Sequence, residues 1–376
     1  MNISQETLYA VALTRINHFN PSQTRALYRR LGSATAIMEH RHDIRAVLPD
    51  ATPRLIEALN DVSAAMHRAE EELQFDEAHG IQPLTIGGDD YPERLRECDD
   101  APTVLYYKGT QCLNKRRIIS IVGTRHCTVY GQDVTRQFVS RLKCLCPEVM
   151  IVSGLAYGVD ICAHRNALAN GIETVGVLAH GLDYIYPTAH RDTAAEMTSC
   201  GGLATEFATG TNADKMNFVR RNRIIAGLAD ATVVIESAEK GGSLITAGMA
   251  LDYGRDVLAF PGNITQPYST GCNNLIRDNK AMLVTSADDL VKAMGWDADA
   301  RLNEAKKKGI ERQLFPELDG NERKIVDLLS DSNDIQANII SIKSGIPIGA
   351  VSAALFGLEL KGIVKMMAGG VCHLLQ

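Results

Sequence analysis

A chain of 376 residues exceeds one average domain, so two or three are expected. An apolar fraction of 45% with 22% charged residues is ordinary for a globular protein with a sizeable core. The net charge of -6 excludes a uniformly basic nucleic-acid binder, so a polyanion site must be a local patch.

The nine cysteines include no Cys-x-x-Cys pair, and Cys144-Leu145-Cys146 is too close for zinc spacing, so reduced thiols and no metal site are expected. Met1 begins a polar segment without an apolar signal core, and no run reaches membrane-spanning length. The expectation is a cytoplasmic protein with no membrane partner.

Residues 1–80 read as a helical module, of the SAM or helix-hairpin-helix kind, with breaks at Asn20-Pro21, Gly32-Ser33 and Pro49 to Pro53. A hairpin would place its phosphate-contacting turn at Ile16 to Phe19. That turn reads Ile-Asn-His-Phe, without the glycine such hairpins use, which favours a packing or interaction module.

From Ile81 the pattern changes. Extended pieces at Pro83 to Ile86 and Val104 to Tyr107 precede alternating strands and helices up to residue 296. Apolar strands are predicted at Ile118 to Val122, Val149 to Val152, Thr174 to Leu178, Ala231 to Ile235, Val257 to Phe260 and Met282 to Val284. Unalternating apolar strands separated by helices predict a parallel, helix-covered α/β sheet. Residues 297–318, with Lys306-Lys307-Lys308, read as a charged linker.

Residues 319–376 predict a small unit of three helices and a hairpin, which resembles a winged helix. Its helices are expected at Arg323 to Leu329, Gln336 to Ser344 and Ile348 to Leu360. The third helix carries only Lys361, at its end, so protein contact is favoured over reading a major groove.

Three predicted strands run into glycine loops: Gly123-Thr124-Arg125, Ser153-Gly154-Leu155-Ala156-Tyr157-Gly158 and Gly241-Gly242-Ser243. In a parallel sheet such loops gather at the carboxyl edge, where ligands bind. Neither a dinucleotide fingerprint nor a P-loop occurs, so no nucleotide cofactor is expected.

Before the third loop lies a basic helix, Lys215 to Leu228, with Phe218 inside it. On its wheel Phe218, Ile225 and Leu228 share a face with Arg221 and Asn222 beside them, which breaks binary patterning as sites do. Two readings stand. Arg221 and Asn222 line a site, or Arg221 pairs with a buried acid such as Asp160 or Glu206 while Asn222 ties down a loop. Likewise Lys215, Arg220 and Arg223 fit either a phosphate-gripping face or a solvated one, and Phe218 either a base platform or core. Asp160 and His164 stand four apart without a third ligand or nucleophile, so Asp160 reads as a loop brace and His164 as structural. Asp183 fits a turn as well as a base, and no catalytic constellation emerges.

The motifs IVGTR (121–125), SGLAYGVD with AH (153–164), VLAHGLDYIYP (177–187), RNRIIAGL (221–228), ESAEKGGSLITA (236–247), FPGN (260–263) and GCNNLI (271–276) occur in one order. In that order they resemble the DNA-processing protein A (DprA/Smf) family, nearly continuously from Tyr91 to Val284. The resemblance implies an extended Rossmann-like core that binds single-stranded DNA and forms a homodimer through that core. It implies a mediator that protects incoming strands and helps load the recombinase RecA, as in natural transformation, without nucleotide chemistry. It also implies that Arg125 binds a phosphate, with Gly123 leaving space. Lys215 and Phe218 would contact backbone and base, and Gly241, Gly242 and Ser243 would offer main-chain and hydroxyl donors. Arg221, Asn222 and Arg223 would shape or line the pocket.

Against the family pattern, Tyr157 stands where a basic residue is usual, EFATGTNAD (206–214) lacks prolines, and Asp278-Asn279-Lys280 replaces a glycine-alanine turn. The rival reading is a nucleotide-hydrolysing enzyme of the phosphoribohydrolase-like group, whose Gly-Gly-x-Gly-Thr-x-x-Glu turn ends in a catalytic acid. Here Thr246 is followed by Ala247-Gly248-Met249, and the next carboxylate is Asp252, so the acid is missing.

Overall fold

The computed structural model describes residues 4–16, 21–297, 318–361, 363–367 and 370–374. The chain divides into two compact units, Met1–Gly295 and Trp296–Gln376. The first begins with helices α1 (Gln5–Leu13), α2 (Pro21–Leu31), α3 (Ala34–Glu39), α4 (Pro53–Asn60) and α5 (Ser63–His79). Ser4, Ser33 and Thr52 cap three of them through their hydroxyls, and Pro53 starts the first turn of α4. The turn expected at Ile16 to Phe19 lies, Ile16 apart, outside the described residues. The helices are not packed separately: Leu13, Leu55 and Leu73 belong to the same buried cluster as Leu105, Ile118 and Val152 of the sheet.

That sheet has nine strands: β1 (Gln82–Thr85), β2 (Val104–Gly109), β3 (Ile118–Val122), β4 (Met150–Ser153), β5 (Thr174–Val177), β6 (Gly201–Thr205), β7 (Ala231–Val234), β8 (Asp256–Ala259) and β9 (Met282–Leu283). Their order is β1-β2-β6-β5-β4-β3-β7-β8-β9. From β6 to β9 all neighbours are parallel, while β2 runs antiparallel to both β1 and β6. All six predicted apolar strands form, and the two extended pieces become β1 and β2. The strand β6 was not expected, because its sequence opens on two glycines. Gly202 is required there by close approach: a Cβ would stand 2.4 Å from the Tyr107 ring.

The helices that cover the sheet are α6 (Glu93–Glu97), α7 (Val129–Leu145), α8 (Val159–Ala169), α9 (Arg191–Met197), α10 (Lys215–Leu228), α11 (Gly242–Asp252), α12 (Thr270–Arg277) and α13 (Ala287–Ala293). From β3 the chain winds outward through β4, β5 and β6, then returns through α10 to lay β7 on the other side of β3. The reversal opens a crevice at the carboxyl ends of β3 and β7, where ligands bind in folds of this kind. At the departure near β9, Asn279 takes the left-handed conformation, φ 54, that a glycine would otherwise supply.

The second unit holds α14 (Gly320–Asp331), β10 (Ile335–Gln336), α15 (Ala337–Ser344), α16 (Ile348–Leu360), β11 (Val364–Met367) and β12 (Val371–Leu374). Ile325, Leu329, Ile340, Val351, Leu355 and Leu358 form its core. The short β10 joins the hairpin in the order β10-β12-β11, which completes a winged helix. Most of the expected linker and Gly369 of the hairpin turn lie outside the described residues. Among the described residues no single helix is long and apolar enough to cross a membrane.

Candidate nucleic-acid interface

A cleft of about 680 Å³ opens at the crevice between β3 and β7. Its walls are the loop after β3, the start of α10 and the loop that leads from β7 into α11. Nine of the expected site residues line it together: Gly123, Arg125, Lys215, Phe218, Arg221, Asn222, Gly241, Gly242 and Ser243.

Each wall follows from local sequence. Asp214 caps α10 by accepting the Asn217 amide at 2.8 Å, which places Lys215 in the first helical turn. A cation is disfavoured at that positive helix end by about 0.3–1 kcal/mol, so helix stability does not account for Lys215 there. One turn on, Phe218 is half-buried, and the Arg125 guanidinium lies 4.8 Å from its ring centroid. Arg125 and Lys215 are exposed and have no carboxylate partner among the described residues. On the opposite wall no side chain among the described residues caps α11; the Gly241 and Leu244 amides bond the Ala238 and Gly241 carbonyls, which leaves the Gly242 and Ser243 amides for an acceptor in the cleft.

Beneath the surface the arrangement is structural. Arg221 is 3% exposed and donates to the Gly154 carbonyl at 2.6 Å and to the Val177 carbonyl, tying the ends of β4 and β5 together. The Arg221 guanidinium and the Asp160 carboxylate both lie 2.6 Å from where a Cβ on Gly154 would stand, so the two charges face each other. Burial pushes the Asp160 carboxyl up against the opposing pull of Arg221. Burial likewise lowers Arg221, to about 10. Asp160 is the one carboxylate lining the cleft among the described residues, which leaves a positive patch on an acidic molecule. Asn222 reaches the Gly242 carbonyl at 3.5 Å and so braces the start of α11.

Three expectations need correction. Arg223 does not line the cleft. It is buried on another face of α10, donating to the Asp100 carbonyl and pairing with Glu206, because residues two apart on a helix diverge by about 200°. Gly123 does not leave space for a phosphate, since a Cβ there would meet Val159 at 2.4 Å and the Glu236 carbonyl at 2.9 Å. Its missing side chain lets α8 approach β3. The Ser243 hydroxyl is committed to Ser237 at 2.9 Å, so the donors on this wall are main-chain ones.

The remaining polar residues have structural partners. Asp160 accepts the Ala156 amide at 3.4 Å, and buried His164 meets the Thr174 hydroxyl at 2.7 Å. Asp183 accepts the Gly210 amide at 3.1 Å, which fixes part of the proline-free loop. Sequence reasoning missed Tyr268 and His126, whose rings stack 6.0 Å apart beside the cleft. An aromatic just ahead of the GCNNLI motif was the available signal for Tyr268.

A family model for DNA recombination-mediator protein A matches residues 82–295, and one for the DprA winged helix domain matches residues 311–370. A putative DNA processing protein DprA from Mycobacterium tuberculosis is 33% identical over 315 residues, covering 80% of this chain and 79% of the relative. Protein Smf from Synechocystis is 30% identical, covering 97% of this chain and 98% of its own. Among solved structures, DNA processing protein A from Streptococcus pneumoniae aligns with a TM-score of 0.67 at 32% identity, over 78% of this chain and 98% of that one. The same protein from Helicobacter pylori, described for its unique single-stranded DNA binding mode, aligns with a TM-score of 0.52 at 27% identity, over 58% of this chain and 96% of that one. By sequence, by core fold and by its terminal domain, the chain belongs to the DNA-processing protein A (DprA/Smf) family of DNA recombination mediators.

Proposed function

We propose that this chain grips single-stranded DNA in the β3–β7 cleft and acts as a recombination mediator without nucleotide chemistry. The observation that carries the reading is a cleft in which Arg125 and Lys215, without ion-pair partners among the described residues, stand around a half-exposed aromatic, Phe218, in a molecule of net charge -6. Phosphates would lie on Arg125, Lys215 and the first amides of α11, with a base on Phe218. Base stacking on such a platform contributes about 1–3 kcal/mol and does not discriminate sequence. The single-strand binding described for the Helicobacter pylori relative supports the same reading.

On this reading the protein protects incoming strands in the cytoplasm and helps load RecA, as in natural transformation. Residues 81–296 would hold the strand, while residues 1–80 and 319–376 serve as modules for contacts with partners. A homodimer through the core is supported by β9, an edge strand whose Met282 and Leu283 are about half exposed. Titration against single- and double-stranded oligonucleotides tests the binding claim. Single strands should bind at least ten-fold more tightly at moderate salt, and equal binding would contradict it. Incubation with nucleoside monophosphates should release no base, and turnover would favour the phosphoribohydrolase reading instead.

A further inference from the structure

A second cleft, of about 740 Å³, lies between α7 and α8 and shares Arg125 and His126 with the first. The two therefore adjoin at Arg125 and His126. The second cleft is lined by Arg125 and Arg165 and by no carboxylate among the described residues. Arg165 is exposed, donates Nε to the Thr193 hydroxyl at 3.3 Å and makes no ion pair among the described residues.

In the lining of this cleft stands Tyr157, 49% exposed. One edge of its environment is fixed: the buried His190 ring meets it edge-on at 4.9 Å, and His190 in turn bonds the Leu155 carbonyl at 2.8 Å. The loop cannot swing away. The Val159 amide donates to the Thr124 carbonyl at 3.1 Å. Gly158, at φ +80, comes so near that a Cβ would stand 2.2 Å from that carbonyl. Tyr157 is thus held at a set position relative to Arg125, with the rest of its ring open to the cleft. A cavity on the other flank of the main cleft is lined by Glu236 and by no cation among the described residues, so a polyanion has no electrostatic reason to turn that way.

We propose that the cleft between α7 and α8 is a second nucleotide subsite, in which Tyr157 stacks a base and Arg165 takes a phosphate. The strand then leaves the Phe218 platform over Arg125 and runs toward α8. This rests on the reading of the main cleft as a single-strand site, and it adds a direction and a second aromatic platform.

The test compares oligothymidylates of about 4 and about 12 nucleotides, bracketing one and two subsites, over a salt series. Tyr157→Ala should weaken the longer oligonucleotide roughly ten- to one-hundred-fold and leave the shorter unchanged. Because stacking carries no charge, its log-log salt slope should stay that of the parent. Tyr157→Phe should restore binding, and Arg165→Gln should reduce the slope on the longer oligonucleotide by about 0.7. Phe218→Ala should weaken both lengths. The subsite is refuted if Tyr157→Ala binds the longer strand as the parent does, or if it weakens both lengths equally. A parent that binds neither oligonucleotide would sink the main-cleft reading together with this one.

Discussion

Within the cleft, Arg221 and Arg125 differ in what holds them. Arg221 is committed to two carbonyls and faces buried Asp160, whereas Arg125 contacts the Phe218 ring and is otherwise exposed. Replacing Arg221 by Ala strands an uncompensated buried carboxylate and two acceptors, so urea unfolding should show a loss of about 3–5 kcal/mol. Arg125→Ala and Phe218→Ala should leave the unfolding midpoint nearly unchanged while fluorescence anisotropy shows strand binding weakened about ten-fold or more. A stable Arg221→Ala variant with impaired binding would instead make Arg221 a direct contact. The sequence signalled that a cation sat in an apolar stripe, but not whether it served ligand or scaffold. That distinction depends on the carbonyls of Gly154 and Val177, which come from strands far away along the chain.

Helices α5 and α10 show how single elements join scaffold to site. On α5, Glu72 accepts the amide and hydroxyl of Thr209 at 2.8 and 2.6 Å and pairs with Arg68 at 2.7 Å, anchoring the loop that leads into α10. One turn on, burial and the neighbouring Glu72 charge push the Asp76 carboxyl up to about 8, and one of its oxygens has no partner among the described residues. An unfolded Asp76 ionises near 3.8. Between that value and about 8 the folded chain therefore holds a proton that the unfolded chain has lost, and stability falls as pH rises through the window. Thermal midpoints should drop from about pH 5 to about pH 8, and Asp76→Asn should remove most of this group's share; equal drops in both proteins would contradict the assignment. In the proposed homodimer, the meeting surface would be β9, at the far edge of the sheet. Charged replacements at Met282 and Leu283 should lower the mass seen by light scattering toward one chain, without unfolding it. Continuous apolar runs marked six of the nine sheet strands, as strands of a helix-covered parallel sheet are expected to read, and the extended pieces marked β1 and β2. The pattern failed at β6, where Gly202 makes room for the Tyr107 ring, while Gly201, at φ +137, lies so close to the Thr174 backbone that a Cβ would meet it. Strand order was not legible either, since it depends on pairing between distant segments.

For the whole molecule, charge distribution matters more than total charge. A net -6 would repel a polyanion, yet the cleft gathers Arg125 and Lys215 and keeps its one lining carboxylate among the described residues, Asp160, buried against Arg221. Motif order along the chain foretold this assembly, and the chain reversal at β3 and β7 is what brings the distant motifs to one edge. The most direct measurement is single-strand affinity across a salt series for the parent and the Arg125→Ala/Lys215→Ala double variant. The parent slope should fall by about 1.4, two phosphates at about 0.7 each, with weaker binding throughout. A double variant that binds as tightly, with the same slope, would contradict the cleft as the strand-gripping site.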